Sequence, residues 1–186
     1  MGKRGGQLTR DHAGFTVWFT GLPCSGKSTV ADAVADRLRE RGLRVERLDG
    51  DIVRQSLSSD LGFTKEDRDK NIGRIIFVSK LLSRNGVAVL TSFVSPYRQK
   101  RAEARKETTN FFEVYVKCPI TTCMQRDVKG MYKKALSGEI KDFTGVSDPY
   151  EEPENPEIII NSDVESVEES GRRIISMLER AGVLKK

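Results

Sequence analysis

The sequence contains no apolar run approaching the roughly 20 residues that a membrane-spanning helix requires, which excludes such a helix as its organising element. It has only three cysteines, Cys24, Cys118 and Cys123, with no paired spacing. They make no disulfide framework, and without further Cys or His partners they make no zinc site, so a reducing cytoplasm is the expected compartment. The amino terminus is polar and glycine-rich and lacks the apolar stretch of a secretory leader. Met1-Gly2 is a poor myristoylation start, because Gly6 stands where Ser or Thr is wanted. The single histidine, His12, lies in a Gly, Lys and Arg tail over residues 1–13 that is expected to be disordered, and no role is assigned to it. There is no internal repeat, and the absence of an Asn-Lys-x-Asp guanine motif disfavours a GTPase.

What is present fits one soluble domain over residues 14–186: 186 residues in all, 37% hydrophobic and 32% charged. The net charge is +5, from 32 Lys and Arg against 27 Asp and Glu. These bases are scattered among acids along helical stretches, with denser groups where phosphates are expected. An anionic small molecule accounts for the excess, and neither nucleic acid nor membrane is expected as a partner. The oligomeric state stays open, a homodimer included.

The chain is organised around Gly21-Leu22-Pro23-Cys24-Ser25-Gly26-Lys27-Ser28-Thr29, a full match to the phosphate-binding pattern G-x-x-x-x-G-K-[ST]. A β-branched and apolar hexamer, Phe15 to Thr20, precedes it, and a helix whose stripe is Val30, Ala31, Val34, Ala35 and Leu38 follows. This is the strand-loop-helix setting the motif requires. The loop is expected to bind a nucleoside triphosphate. Gly21 and Gly26 permit backbone angles that aim successive N–H groups, those of Cys24 and Ser25 among them, at phosphate oxygens. Lys27 supplies a mobile charge for the β- and γ-phosphates, Ser28 a hydroxyl for Mg²⁺, and Thr29 a second hydroxyl nearby. Cys24 is either a reactive thiol at a helix start or a small filler, the latter being preferred.

Further strands are expected at 43–48, 87–91, 111–116 and 157–160, alternating with helices. The fold class is therefore α/β: a three-layer, five-stranded parallel sheet with helices on both faces. The second strand runs into Asp49-Gly50-Asp51, placing two carboxylates beside the phosphate loop at a strand's carboxyl end, where open α/β sheets bind ligands. The alternative for either is an Asp-Gly turn with an acidic helix cap. Thr64 and Asp67 form a helix start, with Ile72, Ile75, Ile76 and Leu82 on the inner face. Arg54, Arg68 and Asn71 either line a cleft or lie on solvated surfaces. Pro96 is expected to open a helix, and the last helix to turn Val164, Val167, Ile174, Ile175 and Leu178 inward. Residues 126–152, rich in Lys and Gly and poor in apolar periodicity, read as a mobile lid or as an ordinary long surface loop.

Six pieces in order, Leu48-Asp49-Gly50-Asp51, Asp60-Leu61-Gly62-Phe63, Asp67-Arg68 with Asn71-Ile72, Ser92 to Arg98, Arg126 to Gly130 and Phe143-Thr144-Gly145, resemble adenylylsulfate kinase. The likeness covers nearly everything from Gly14 to the last helix. It implies transfer of the ATP γ-phosphoryl group to the 3′-hydroxyl of adenosine 5′-phosphosulfate, with Mg²⁺ accompanying ATP. By matching position, Arg54, Arg68 and Asn71 would hold the phosphosulfate, and Phe63 and Phe143 would sandwich its adenine. Val94, Ser95, Lys133 and Val146 would complete that pocket, and Arg126 would join the ATP site. Asp51 would orient or deprotonate the acceptor hydroxyl, Asp49 would assist it or the metal, and the position of Ser95 is that of a phosphorylated serine in some family assignments. Three departures stand out: Pro23-Cys24 in place of a usual Ser-Gly, Gly73 in place of an arginine, and Phe77 in place of a frequent Glu. The competing readings are another small-molecule kinase, for nucleosides, shikimate or gluconate, and a catalytically dead module that binds phosphoadenylyl sulfate. Such modules have lost the phosphate loop that is intact here.

Overall fold

The computed structural model describes residues 13–185, so the expected tail and His12 fall outside them, Ala13 apart. The first strand, β1 (Phe15–Thr20), is buried at all six positions. Phe15, Val17 and Phe19 point to one side of the sheet and Trp18 to the other, as a parallel strand covered on both faces demands. The phosphate-binding loop leads from it into α1 (Lys27–Glu40), whose buried Val30, Ala31, Val34, Ala35 and Leu38 are the stripe read from the sequence. Four more strands follow: β2 (Val45–Asp49), β3 (Ala88–Ser92), β4 (Phe111–Lys117) and β5 (Ile158–Asn161). The sheet order is β2-β3-β1-β4-β5, every pair parallel. All carboxyl ends therefore open on one edge, where Thr20, Asp49 and Ser92 deliver the chain to the site.

Helices α1 and α7 (Val167–Arg180) cover one face. The other is covered by α2 (Gly50–Gln55), α3 (Lys65–Ser83) and α4 (Arg98–Glu107), which close over Trp18, Phe93 and Phe111 with Val53, Ile72, Ile75, Ile76 and Ala104. Thr64 caps α3 by accepting from the Asp67 amide, the start that the sequence indicated.

Three expectations are corrected. Val164 and Val167 are exposed, not inward. Ser166 caps α7 after Val164, so the buried stripe begins one turn later, at Ser170 and Gly171. Pro96 does not open a helix, because α4 begins at Arg98 after an extended Tyr97. Residues 126–152 are not loop throughout: α6 (Met131–Leu136) lies within them, after α5 (Ile120–Gln125), and between the two the Asp127 carboxylate accepts from the amides of Met131 and Tyr132. Tyr132 and Phe143 meet edge to face, centroids 5.0 Å apart, in a small cluster with Cys118, Cys123 and Ala135. The Tyr132 hydroxyl donates to the Pro23 carbonyl at 3.0 Å. Two aromatic anchors rather than a repeating stripe hold this segment, and periodicity could not reveal them.

Candidate active site

The phosphate-binding loop has the backbone its glycines permit. Gly21 has φ 152° and a Cβ there would lie 2.4 Å from the Val116 carbonyl oxygen, while Gly26 takes φ 91° as the residue before α1. Cys24 also adopts a left-handed angle, φ 60°. Burial and the neighbouring Asp127 push its thiol pKa up, the reverse of what a reactive thiolate needs, which favours the filler reading. Lys27 is almost fully buried and donates to the Leu22 and Gly21 carbonyls at 2.6 and 3.1 Å. Desolvation lowers its pKa to about 8.

The helix-cap alternative for Asp49 is realised, and its second oxygen faces the phosphate-binding loop. Its Oδ1 caps α2 by accepting from the Asp51 amide at 3.0 Å, while its Oδ2 accepts from Ser28 Oγ at 2.6 Å. Arg47 braces it from 3.8 Å. Among the described residues no group of three or more His, Cys, Asp or Glu could hold a metal ion unaided. The Ser28 hydroxyl and Asp49 carboxylate nonetheless offer two adjacent hard oxygens of the kind Mg²⁺ takes when phosphates and water complete its shell. Asp51, in the first turn of α2, is exposed and pairs with Lys129 at 2.5 Å. That bond joins the 127–152 segment to the sheet edge, and no local pattern of residues announces it.

These groups share a cavity of about 530 Å³ with Arg54, Phe63, Arg68, Asn71, Val94, Ser95 and Phe143. Arg54 holds the Phe63 loop through the carbonyls of Leu61 and Gly62, with its guanidinium 4.3 Å above the Phe63 ring. Arg68 reaches the Phe63 carbonyl at 2.8 Å, and also Thr144 and the Asp142 carbonyl. Burial and then the proximity of Arg68 lower the pKa of Arg54, so an anion between the two would relieve both stresses. Asn71 is buried, and its Oδ1 has no hydrogen-bond partner among the described residues. Ser95 is buried in a left-handed turn, φ 40°, with its hydroxyl accepting from Trp18 Nε1 at 3.1 Å.

Seven expected residues do not line this cavity: Gly21, Ser25 and Gly26 of the loop, and Thr29, Arg126, Lys133 and Val146. Lys133 is exposed on α6, and Val146 packs against the Cys118 cluster. Thr29 is exposed at the start of α1. Arg126 donates to the Ser162 carbonyl at 2.9 Å, and Ser162 Oγ donates to the Ser25 carbonyl at 2.7 Å. Gly73 has open space where a Cβ would be, and Phe77 is exposed.

The arrangement is that of a phosphate-binding loop and a second, cation-lined aromatic pocket in one crevice. The family described as adenylylsulphate kinase matches residues 13–161. A probable adenylyl-sulfate kinase of Pseudomonas aeruginosa is 62% identical over 89% of this chain and 77% of its own length. An adenylyl-sulfate kinase of Halothermothrix orenii is 55% identical over 94% of this chain and 95% of its own. The Mycobacterium tuberculosis APS kinase in complex with AMPPNP and APS superposes with a TM-score of 0.86 at 43% identity, over 90% of this chain and 99% of that one. A gluconokinase of Sinorhizobium meliloti, 19% identical with a TM-score of 0.60, shares the fold alone. With the family model matching residues 13–161 and curated relatives 55% and 62% identical over most of the chain, the chain belongs to the adenylylsulphate kinase family.

Proposed function

We propose that this enzyme transfers the γ-phosphoryl group of ATP to the 3′-hydroxyl of adenosine 5′-phosphosulfate, giving ADP and 3′-phosphoadenylyl sulfate. The observation that carries this is the single crevice running from Lys27, Ser28 and Asp51 to Arg54, Phe63, Arg68, Asn71 and Phe143. The loop amides and Lys27 hold the triphosphate. Ser28 Oγ and Asp49 Oδ2 are the pair to hold Mg²⁺, which when bound neutralises charge across the β- and γ-phosphates. Arg54 and Asn71 face the phosphosulfate, and Phe63 and Phe143 take the adenine by offset stacking. Arg68 serves the anion while tying α3 to Asp142 and Thr144. Asp51 orients the acceptor hydroxyl and takes its proton as the new P–O bond forms and the bond to the ADP leaving oxygen breaks. Residues 127–152 act as the lid, with Lys129 released from Asp51 to meet phosphate. In-line transfer needs positioning and charge more than a covalent relay. The Ser95 hydroxyl, engaged by Trp18, fits a role in shaping the pocket. The intact phosphate loop speaks against a non-catalytic module. Three unpaired thiols suit a reducing cytoplasm.

The test is an acceptor screen with ATP and Mg²⁺, reading ADP release. Adenylyl sulfate is expected to be the preferred acceptor. Faster release with gluconate, shikimate or a nucleoside, or none with any acceptor, would overturn the assignment.

A pH dependence follows from Lys27. Its folded-state pKa of about 8 lies below the ordinary lysine value of 10.5, so in the free enzyme the ammonium that binds phosphate is lost as pH rises through about 8. Calorimetric titration with ATP is expected to show affinity falling between pH 7 and pH 9.5, by at most about tenfold per unit. A flat profile would mean that Lys27 stays charged throughout.

A further inference from the structure

A charged residue sits in the middle of β4, in the run Phe111-Phe112-Glu113-Val114-Tyr115-Val116, and is buried there. Its nearer partner is Arg101 of α4, itself 3% exposed, with Nε 2.8 Å from Glu113 Oε1, while Arg105 lies 3.5 Å from the other oxygen. A buried ion pair seldom improves stability over an apolar pair of the same volume, so what the rest of this guanidinium does becomes the question. Its Nη1 donates to the Ser95 carbonyl at 2.6 Å and its Nη2 to the Glu151 carbonyl at 2.5 Å. One planar fork thus holds the left-handed Ser95 turn of the acceptor pocket and the far end of the 127–152 segment.

Other bonds close the same seam. The Glu151 amide donates to the Pro96 carbonyl at 2.9 Å and the Glu151 carboxylate accepts from the Arg98 amide at 2.7 Å. The Tyr97 hydroxyl donates to Asp148 at 3.2 Å. Asp148 in turn ends the turn that carries Phe143, whose carbonyl accepts the Asp148 amide at 3.1 Å. Phe143, residues 148–151 and the Ser95 turn therefore form one stitched unit, and Arg101 is its buried pin.

We infer that Arg101, fixed by Glu113, is a positioning residue for the acceptor pocket, setting Phe143 and the Ser95 turn relative to each other while its hydrogen bonds run to Glu113, Ser95 and Glu151 rather than to the phosphate-binding loop. The inference rests on the acceptor assignment proposed above. Arg101→Lys keeps the charge beside Glu113 but loses the fork that reaches two carbonyls. It is expected to raise KM for adenylyl sulfate by about tenfold while KM for ATP stays within about twofold. Tyr97→Phe removes one hydroxyl from the same seam with little risk to folding, and is expected to raise the same KM by about threefold, again selectively.

Trp18, the only tryptophan in the chain, donates to Ser95 Oγ, so its emission in the free enzyme is expected to change in Arg101→Lys. Equal changes in both KM values, or no change in either with unaltered Trp18 emission, would overturn the inference. If Arg101→Lys fails to fold, an unselective or silent Tyr97→Phe does the same. Wild-type enzyme that releases no ADP with adenylyl sulfate would remove the assignment and the inference together, whereas active wild type with unselective variants would remove only the inference.

Discussion

Replacing Lys27 by Ala is expected to lower kcat/KM for ATP by about 10³-fold or more, close to 4 kcal/mol of transition-state stabilisation. Two effects add. The developing charge on the transferring phosphoryl group loses the ammonium that should meet it, in a site where water cannot replace it cheaply. The carbonyls of Gly21 and Leu22, which Lys27 holds from inside the loop, also lose their donor, so the amides that cradle the phosphates are no longer preorganised. ADP formation at varied ATP, beside the thermal midpoint, separates this from unfolding. A folded variant within tenfold of wild type would take the role away from Lys27.

Asp51→Asn is expected to leave ATP binding nearly intact and to reduce kcat by about 10²- to 10⁴-fold, the range in which a positioned base acts. The substitution preserves shape and the first turn of α2 and removes only the charge, which at present is spent on Lys129 at 2.5 Å. Product formation at saturating concentrations of both substrates is the measurement. A drop shared equally with the KM for ATP would indicate that Asp51 serves the nucleotide and not the acceptor.

Much of this was legible in the chain because its strong signals are local. The phosphate loop, the alternation of strands and helices, the Thr64 cap and the carboxylates at the end of β2 each depend on a few neighbouring residues, and each appears where expected. Boundaries shifted where a cap or an extended residue intervened, as with Ser166 before α7 and Tyr97 before α4. Pairings between distant segments were hidden, because nothing in the order of residues says that Lys129 meets Asp51 or that Arg68 reaches Asp142. One of them did leave a trace. A glutamate inside an otherwise apolar strand, Phe112-Glu113-Val114, announces that some cation must be buried with it, although not which one.

The double duty of Asp49 gives the crevice an internal ruler. Because one oxygen of this carboxylate receives Ser28 and the other seats the amide of Asp51, the first turn of α2 is suspended a single side chain away from the first turn of α1. The spacing of the two helix starts is thereby written into one planar unit of three atoms for as long as both of its bonds hold.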